Sequence, residues 1–368
     1  SSRLGVTLSA TFSCDPSLAI GRAVSPDDIE RGGRVDLPMQ WIRLHDGAWP
    51  RHGTPQSGRA VAVDPGGNVI AVGYDDLTAF GMNHDFLIRK YDPAGTLIWS
   101  LTYNFNAAVP NTDEAFGVAT DATGNIVVAG NTVLAKTDWL VLKLDPSGAI
   151  LWTRTLNALG NGDDFVGGST GTSGFGNPVG IDASGSIYVA GTERNASFQN
   201  AWLIAKYDPA GTLLWTKTWN GAASGGSTAN AIAVDPAGNF VVAGTAGFGG
   251  SGTELVRKYD SGGNEVWTTS WTNPAAMMGL GALGVGLDRD GNVLAACFES
   301  LQCMQGDWKI RKLDPLGIPL WERGFDAGGG CSEDEPYGVA VDGAGNWLVG
   351  GMARPPSVPG YWMLRKYD

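Results

Sequence analysis

The sequence has little of what several classes of protein require. Its 368 residues include no run of about 18 apolar residues, so no membrane-spanning helix is predicted. Charged residues make up only 17% of the chain, which argues against a coiled coil or a charged disordered tail. The 25 basic residues are outnumbered by 37 acidic ones, and the net charge of −12 argues against a nucleic-acid partner.

Histidine and cysteine are also scarce. Three histidines without a close pair or an H-E-x-x-H motif argue against a multi-histidine metal centre. Four cysteines without a C-x-x-C spacing fit disulfides in an exported protein, and reduced thiols remain the alternative. We expect Cys303 to pair with Cys331, and Cys14 then to anchor the N-terminal segment to Cys297, although four cysteines allow three complete schemes. A disulfide role is favoured over a catalytic thiol because no histidine lies nearby in sequence to activate one.

Glycine is abundant, with 55 residues, and much of it belongs to a repeat. Six turns of the form D-x-x-G-N/S recur 53 to 61 residues apart, at residues 64–68, 121–125, 182–186, 235–239, 288–292 and 342–346. A second element with a K-Y-D-P-A-G-like start ends in a repeated tryptophan, at Trp99, Trp152, Trp215, Trp267 and Trp321. Apolar and small residues alternate before each D-x-x-G turn, and an apolar run follows it. Each repeat therefore reads as four strands joined by tight hairpins.

Six such units predict an all-β chain, a six-bladed β-propeller of four-stranded blades. The last copy lacks a fourth strand, and residues 39–44 supply a matching one with Trp41 in the tryptophan position. We therefore expect an N-terminal strand to complete the last blade and close the ring. The domain prediction is an N-terminal extension at 1–36 and the propeller at 37–368. A parallel β-helix is the competing fold, but its rungs are shorter and lack paired hairpin turns.

The pattern A-[IV]-A-V-D-x-x-G-N-x-x-V-A-G, followed by D-[FWY]-x-[IV]-x-K-Y-D-x-x-G-x-x-x-W, resembles the bacterial SBBP-type β-propeller repeats over residues 39–368. That resemblance implies a propeller of a secreted or cell-envelope bacterial protein. These repeats occur mostly in exported or cell-envelope proteins and share no defined reaction, so the resemblance implies a location more than a chemistry.

Residues that recur in every copy are interpreted as scaffold. The repeated lysines are expected to pair with a neighbouring carboxylate, and the turn aspartates to accept hydrogen bonds from their own turn. A site is sought instead in the variable loops, which join second to third strands and fourth to first strands and emerge on one face. Their ligand-binding candidates are Asp75, Asp76, His84, Asp163, Asp164, Glu299, Glu333 and Glu335.

These features favour a non-catalytic binding or interaction scaffold, with a glycan, a peptide or a protein as partner at the loop face. A carbohydrate-active hydrolase or lyase that uses loop carboxylates is the alternative. A third interpretation is a purely structural module of a larger surface protein. No resident metal site or certain cofactor is predicted, although the acidic loops could take calcium. We expect a monomer.

Overall fold

The computed structural model describes residues 8–9, 57–76, 84–106, 111–133, 135–157, 162–168, 176–194, 199–221, 226–247, 252–272, 278–302, 305–326, 333–342, 344–354 and 361–368. These residues form 25 β-strands and no helix. No described segment is therefore a helix long and apolar enough to cross a membrane.

The strands form one antiparallel sheet per repeat, called blades 1 to 6 in chain order. Blade 1 contains β2 (Ser57–Val63), β3 (Val69–Asp76), β4 (His84–Tyr91) and β5 (Leu97–Tyr103), and the two-residue β1 (Leu8–Ser9) pairs with β2. Blade 2 contains β6 (Thr112–Thr120), β7 (Ile126–Val133), β8 (Thr137–Leu144) and β9 (Ile150–Leu156). Blade 3 contains β10 (Asp164–Val166), β11 (Val179–Ile181), β12 (Ile187–Arg194), β13 (Asn200–Tyr207) and β14 (Leu213–Trp219).

The second half repeats this order. Blade 4 contains β15 (Ser227–Val234), β16 (Phe240–Ala246), β17 (Thr253–Tyr259) and β18 (Glu265–Thr272). Blade 5 contains β19 (Met278–Leu287), β20 (Val293–Gln302), β21 (Gln305–Leu313) and β22 (Pro319–Phe325). Blade 6 contains β23 (Glu333–Val341), β24 (Trp347–Arg354) and β25 (Tyr361–Tyr367).

Consecutive blades pack through their first strands, and the six blades form a ring. The predicted six-bladed propeller is confirmed. β1 pairs with β2 and also contacts β23, so this N-terminal segment lies at the junction of the first and last blades. The strand expected at 39–44 lies outside the described residues, and its place in blade 6 stays a prediction.

The D-x-x-G turns close by the hydrogen bonds that the sequence predicts. In the first turn, Gly67 N donates to Asp64 O and Asn68 N donates to Asp64 Oδ1, both at 2.9 Å. Gly67 has a φ of 83°, a left-handed conformation that glycine adopts without strain. Lys90 Nζ lies 2.9 Å from Asp64 Oδ2, so the repeated lysine pairs with the turn carboxylate as expected.

Blades 1, 2 and 4 also reach forward to the blade that follows them. Lys90 Nζ and Trp99 Nε1 both donate to Pro146 O in the following blade, at 3.0 and 3.2 Å. The same two donors recur at Pro209 and Pro315. The repeated lysine and tryptophan therefore fasten blade to blade.

An aromatic ring of one blade packs on a glycine of the next. A Cβ atom on Gly191 would lie 2.7 Å from Trp139 Cζ2, and one on Gly244 would lie 2.9 Å from Trp202 Cζ2. The side chains of both tryptophans are fully buried. This contact needs glycine at the end of the second strand, because a Cβ there would overlap the ring and the adjacent backbone.

The innermost strand of blade 3 is interrupted between β10 and β11. Asn177 bridges the neighbouring blades, because its Oδ1 accepts from Val118 N and its backbone oxygen accepts from Ile232 N. A Cβ on Gly176 would lie 2.1 Å from Leu283 O of blade 5. The end of the interruption therefore lies inside the ring, against the inner strands of blades 4 and 5, and occupies part of the central channel.

Candidate functional site

The predicted carboxylates lie on one face of the propeller, as the loop pattern requires. We call this the long-loop face: the ends of second and fourth strands together with the starts of first and third strands. Asp75, Asp164, Glu299 and Glu335 are strand residues at these ends in four different blades, and Asp163 directly precedes β10. For Asp76 and Glu333 the structure gives the backbone positions, opposite His84 and Arg354. The set does not converge on one pocket.

Other carboxylates of this face form recurring hydrogen bonds where the chain passes from one blade to the next, a place that we call a seam and number by its two blades. At seam 1/2, Asn104 Nδ2 donates to Asp85 Oδ1 at 2.8 Å, and at seam 2/3 Asn157 Nδ2 donates to Asp138 Oδ1 at 2.8 Å. Asp113 is fully buried and accepts from Phe105 N at 2.7 Å. Because burial penalises the charged form, the pKa values of Asp85, Asp113 and Asp138 are raised. These groups act first as structural links.

Two predicted residues of blade 3 have similar partners. Asp163 Oδ1 accepts from Thr137 N of blade 2 at 3.0 Å, and Asp164 Oδ1 accepts from Arg194 N at 3.3 Å. Asp164 is buried, and Glu193 beside it has a pKa that is raised mainly by burial and secondly by the charge of Asp164.

Seam 5/6 replaces the amide by a third carboxylate. Asp326 follows β22 where Asn104 and Asn157 follow their own fourth strands, and it lies beside Asp307 and Asp334. One carboxylate oxygen from each of the three lies within 4.8 Å of the others. Burial, followed by the charges of the other two, raises the pKa of Asp307 to about 6. Carboxylate oxygens are the ligands that Ca²⁺ prefers, so these are the described residues that could hold a cation.

His84 is held by a carboxylate at seam 1/2. Its Nδ1 lies 2.6 Å from Glu114 Oε1, and its ring stacks on Tyr74 with 4.3 Å between centroids. A carboxylate can only accept, so Nδ1 carries the proton in this pair. Arg59 lies over the Tyr74 ring on the side of the inner strand, 5.5 Å from its centroid.

Glu114 also lines a small cavity at the long-loop end of blade 2. The volume is about 60 Å³, and the lining residues are Thr112, Glu114, Asn131, Val133 and Thr137. Two of the predicted candidates are joined directly to residues of this cavity, His84 to Glu114 and Asp163 to Thr137. The sequence does not reveal the cavity, because its walls come from three strands.

A second departure from the repeat lies at seam 4/5. Glu254 takes the place that a buried aromatic ring has in blades 1, 2, 3 and 5, and Cys297 takes the place of the glycine that receives that ring. Both side chains are fully buried, and a hydrogen bond joins them. The carboxyl group leaves room that an indole would fill, which explains why blade 5 accepts a cysteine where other blades require glycine.

Arg311 neutralises this buried group. Its guanidinium donates to Glu254, to Glu299 Oε1 at 2.5 Å and to Glu322 Oε2 at 2.9 Å, and it lies 4.7 Å from the Trp271 ring centroid. Burial raises the pKa of Glu254 to about 8, although the charge of Arg311 opposes this. The predicted candidate Glu299 thus belongs to an internal ion network.

The cysteine prediction changes at one position. Cys297 is a free thiol in this network, so the disulfide expected at Cys297 is absent. Burial raises the pKa of this thiol. Its surroundings come from β17, β20 and β21, which leave the sulfur enclosed between blades. Cys14, Cys303 and Cys331 lie outside the described residues, and the Cys303–Cys331 bridge stays a prediction.

The fold is similar to that of solved bacterial proteins. A protein of unknown function from Dyadobacter fermentans matches with a TM-score of 0.51 and 12% identity, over 83% of this chain and 92% of that chain. Hadza microbial sialidase Hz136 matches with a TM-score of 0.52 and 12% identity, over 83% of this chain and 64% of that one. A protein of unknown function from Bacteroides caccae gives a TM-score of 0.40 and 13% identity, over 72% and 80%.

No protein-family model matches the chain, and no curated protein matches it. At these identities the structural similarity shows a β-propeller fold with bacterial neighbours, and it transfers no activity to this chain.

Proposed function

We propose that this protein is a secreted or envelope-associated bacterial scaffold of the SBBP type, which binds a glycan, peptide or protein at its long-loop face. The observation that supports this most is the distribution of the predicted carboxylates. They are spread over four blades, and Asp164, Glu299 and Glu335 each have a scaffold partner. A glycoside hydrolase that works by paired carboxylates needs two carboxyl groups on either side of the glycosidic bond that it cleaves, about 5 to 9.5 Å apart.

The proposal is tested by array binding. The chain is applied to glycan and peptide arrays with calcium and with EDTA, and reducing-sugar release is measured on the same polysaccharides. Saturable binding without product supports the scaffold. Product formation that is lost on substitution of the long-loop carboxylates overturns it in favour of an enzyme, and silence in all assays leaves a purely structural module.

The location is tested separately. Fractionation of the source bacterium, followed by protease treatment of intact cells, should find the protein in the envelope or the medium. Recovery from the cytoplasmic fraction alone would remove this part of the proposal.

The second candidate function, a carbohydrate-active hydrolase, is favoured by one observation. The pairing of His84 Nδ1 with Glu114 orients the imidazole, and a carboxylate-oriented imidazole is a common general base. In that case His84→Gln abolishes sugar release while array binding persists. Activity that survives in this variant would exclude His84 as the base.

A further inference from the structure

The cavity of blade 2 is small, and four of its five lining residues have a polar group in the side chain. Thr112 and Glu114 come from β6, Asn131 and Val133 from β7, and Thr137 from β8. The cavity volume of about 60 Å³ compares with about 30 Å³ for one water molecule in the liquid. A terminal CH2–NH3⁺ group therefore fits this space, whereas a whole sugar ring does not.

The walls offer acceptors and one apolar surface. Glu114 contributes a carboxylate that is largely withdrawn from solvent, at 8% exposure. Asn131 Oδ1 already accepts from Val166 N at 2.8 Å, and this bond orients the amide. The Thr112 and Thr137 hydroxyl groups can both accept. Val133 is 36% exposed at the mouth and can contact an aliphatic stem.

The surroundings add negative charge. Asp113, Asp138, Asp163 and Asp164 lie at the same end of blades 2 and 3. Burial, and after it the charge of Asp163, raises the pKa of Asp138. The basic side chains nearby among the described residues are His84, bonded to Glu114, Lys136 beside Asp138, Arg59 over the Tyr74 ring, and Arg194, whose backbone is bound to Asp164.

We propose that this cavity binds the ammonium group of a lysine side chain of a protein partner, with Glu114 as its counter-ion. This deepens the proposed function and rests on it, since it names the chemistry that the long-loop face recognises. The ammonium group has three donors and no acceptor, which matches a wall of a carboxylate, hydroxyl groups and an amide oxygen. The four-carbon stem of lysine can lie along Val133 while the charge reaches Glu114.

The experiment uses fluorescein-labelled Gly-Gly-Lys-Gly-Gly-Ser and the same peptide with Nε-acetyl-lysine, titrated with the full chain and read by fluorescence polarisation. We expect the lysine peptide to bind at least about tenfold more tightly than the acetylated one, because a charge-assisted hydrogen bond is lost. Glu114→Gln should weaken the lysine peptide by about tenfold as well.

Glu265→Gln is the control. Glu265 begins β18 after the short turn of blade 4, away from the long-loop face, and pairs with Arg257, so its substitution should leave peptide affinity unchanged. Thr137→Val keeps the backbone bond to Asp163 and removes one hydroxyl acceptor from the cavity. It should weaken the lysine peptide severalfold and provides a second readout if Glu114→Gln fails to fold.

The outcomes separate the two proposals. Equal affinity for the lysine and acetyl-lysine peptides, or unchanged affinity in both cavity variants, overturns the ammonium site. Array binding to neutral glycans with no binding of the lysine peptide overturns it too, while the scaffold proposal stands. No binding to any ligand overturns both.

Discussion

Replacing Asp326 by asparagine would give seam 5/6 the side chains that seams 1/2 and 2/3 already have. In those seams an Asn amide donates to the third-strand aspartate at 2.8 Å. In seam 5/6 an ionised Asp326 has no such proton to donate, and three carboxylates share the place. The substitution keeps the side-chain shape and turns a repulsion into a hydrogen bond.

The magnitude follows from Asp307. Its pKa of about 6 lies about two units above the ordinary value of 3.8, which would correspond to about 3 kcal/mol at full strength. Burial is the largest cause and persists in the variant, and Asp307 is only partly buried, so solvent screening reduces the charge contribution. We expect Asp326→Asn to raise the free energy of unfolding by about 1 kcal/mol at pH 7.5.

The effect has a definite pH dependence. A carboxyl group whose pKa is raised in the folded state holds its proton more tightly there than in the unfolded chain. The contribution of Asp307 to the free energy of unfolding is therefore fully present below about pH 4 and is lost as the pH rises through about 6. The variant should gain little over the natural chain at pH 4.5 and most of its advantage above pH 6.5.

Urea unfolding followed by tryptophan fluorescence at pH 4.5 and 7.5, with EDTA throughout, measures this difference. Asn157→Asp is the reciprocal control, because it places a third carboxylate beside Asp138 and Asp163 at seam 2/3 and should destabilise the chain at pH 7.5. An Asp326→Asn variant that is less stable than the natural chain, or whose advantage is the same at both pH values, would refute the reasoning.

Two further predictions concern contacts between blades. Gly317→Ala should lower the free energy of unfolding by about 2–4 kcal/mol, since a Cβ there would lie 2.6 Å from the Trp267 ring. Gly345 has nearly the same φ and no atom within 4 Å of such a Cβ, so Gly345→Ala should lower it by only about 1 kcal/mol. Equal losses in thermal unfolding would contradict the ring contact. The double variant Glu254→Trp, Cys297→Gly should have a free energy of unfolding about 1–2 kcal/mol above the value expected from adding the effects of the two single substitutions. The reason is that the indole would then occupy the space of the thiol. The coupling would be disproved if the shift of the urea midpoint in the double variant equalled the sum of the shifts in the two single variants.

Much of the fold could be predicted because the same four-strand pattern occurs six times in the sequence. The turn aspartates and the lysine at Lys90 have the partners that the pattern indicates, since these contacts are local or lie between consecutive copies. The interruption in blade 3 was missed because only the three residues Val179–Ile181 remain before its turn, and the bridge from Asn177 to blades 2 and 4 depends on the closed ring.

The site was less predictable for a different reason. Asp326 and Glu254 were detectable in principle, because each differs from the residue that the other copies have at its position. Their consequences were not, since a buried carboxylate depends on what the neighbouring blade places against it. Arg311 illustrates this: two of its three carboxylate partners lie on other strands of blade 5, and Glu254 lies in blade 4.

The forward contacts of lysine and tryptophan give the ring a direction. Every fastened blade is a donor on one side and an acceptor on the other, as in a head-to-tail assembly. A fragment of a few blades would present one unused donor end and one unused acceptor end, which are complementary to each other. Such fragments can satisfy both ends only in trans, and would grow into open chains unless their curvature closed a circle. Ring closure is thus what keeps this repeat from being a polymer.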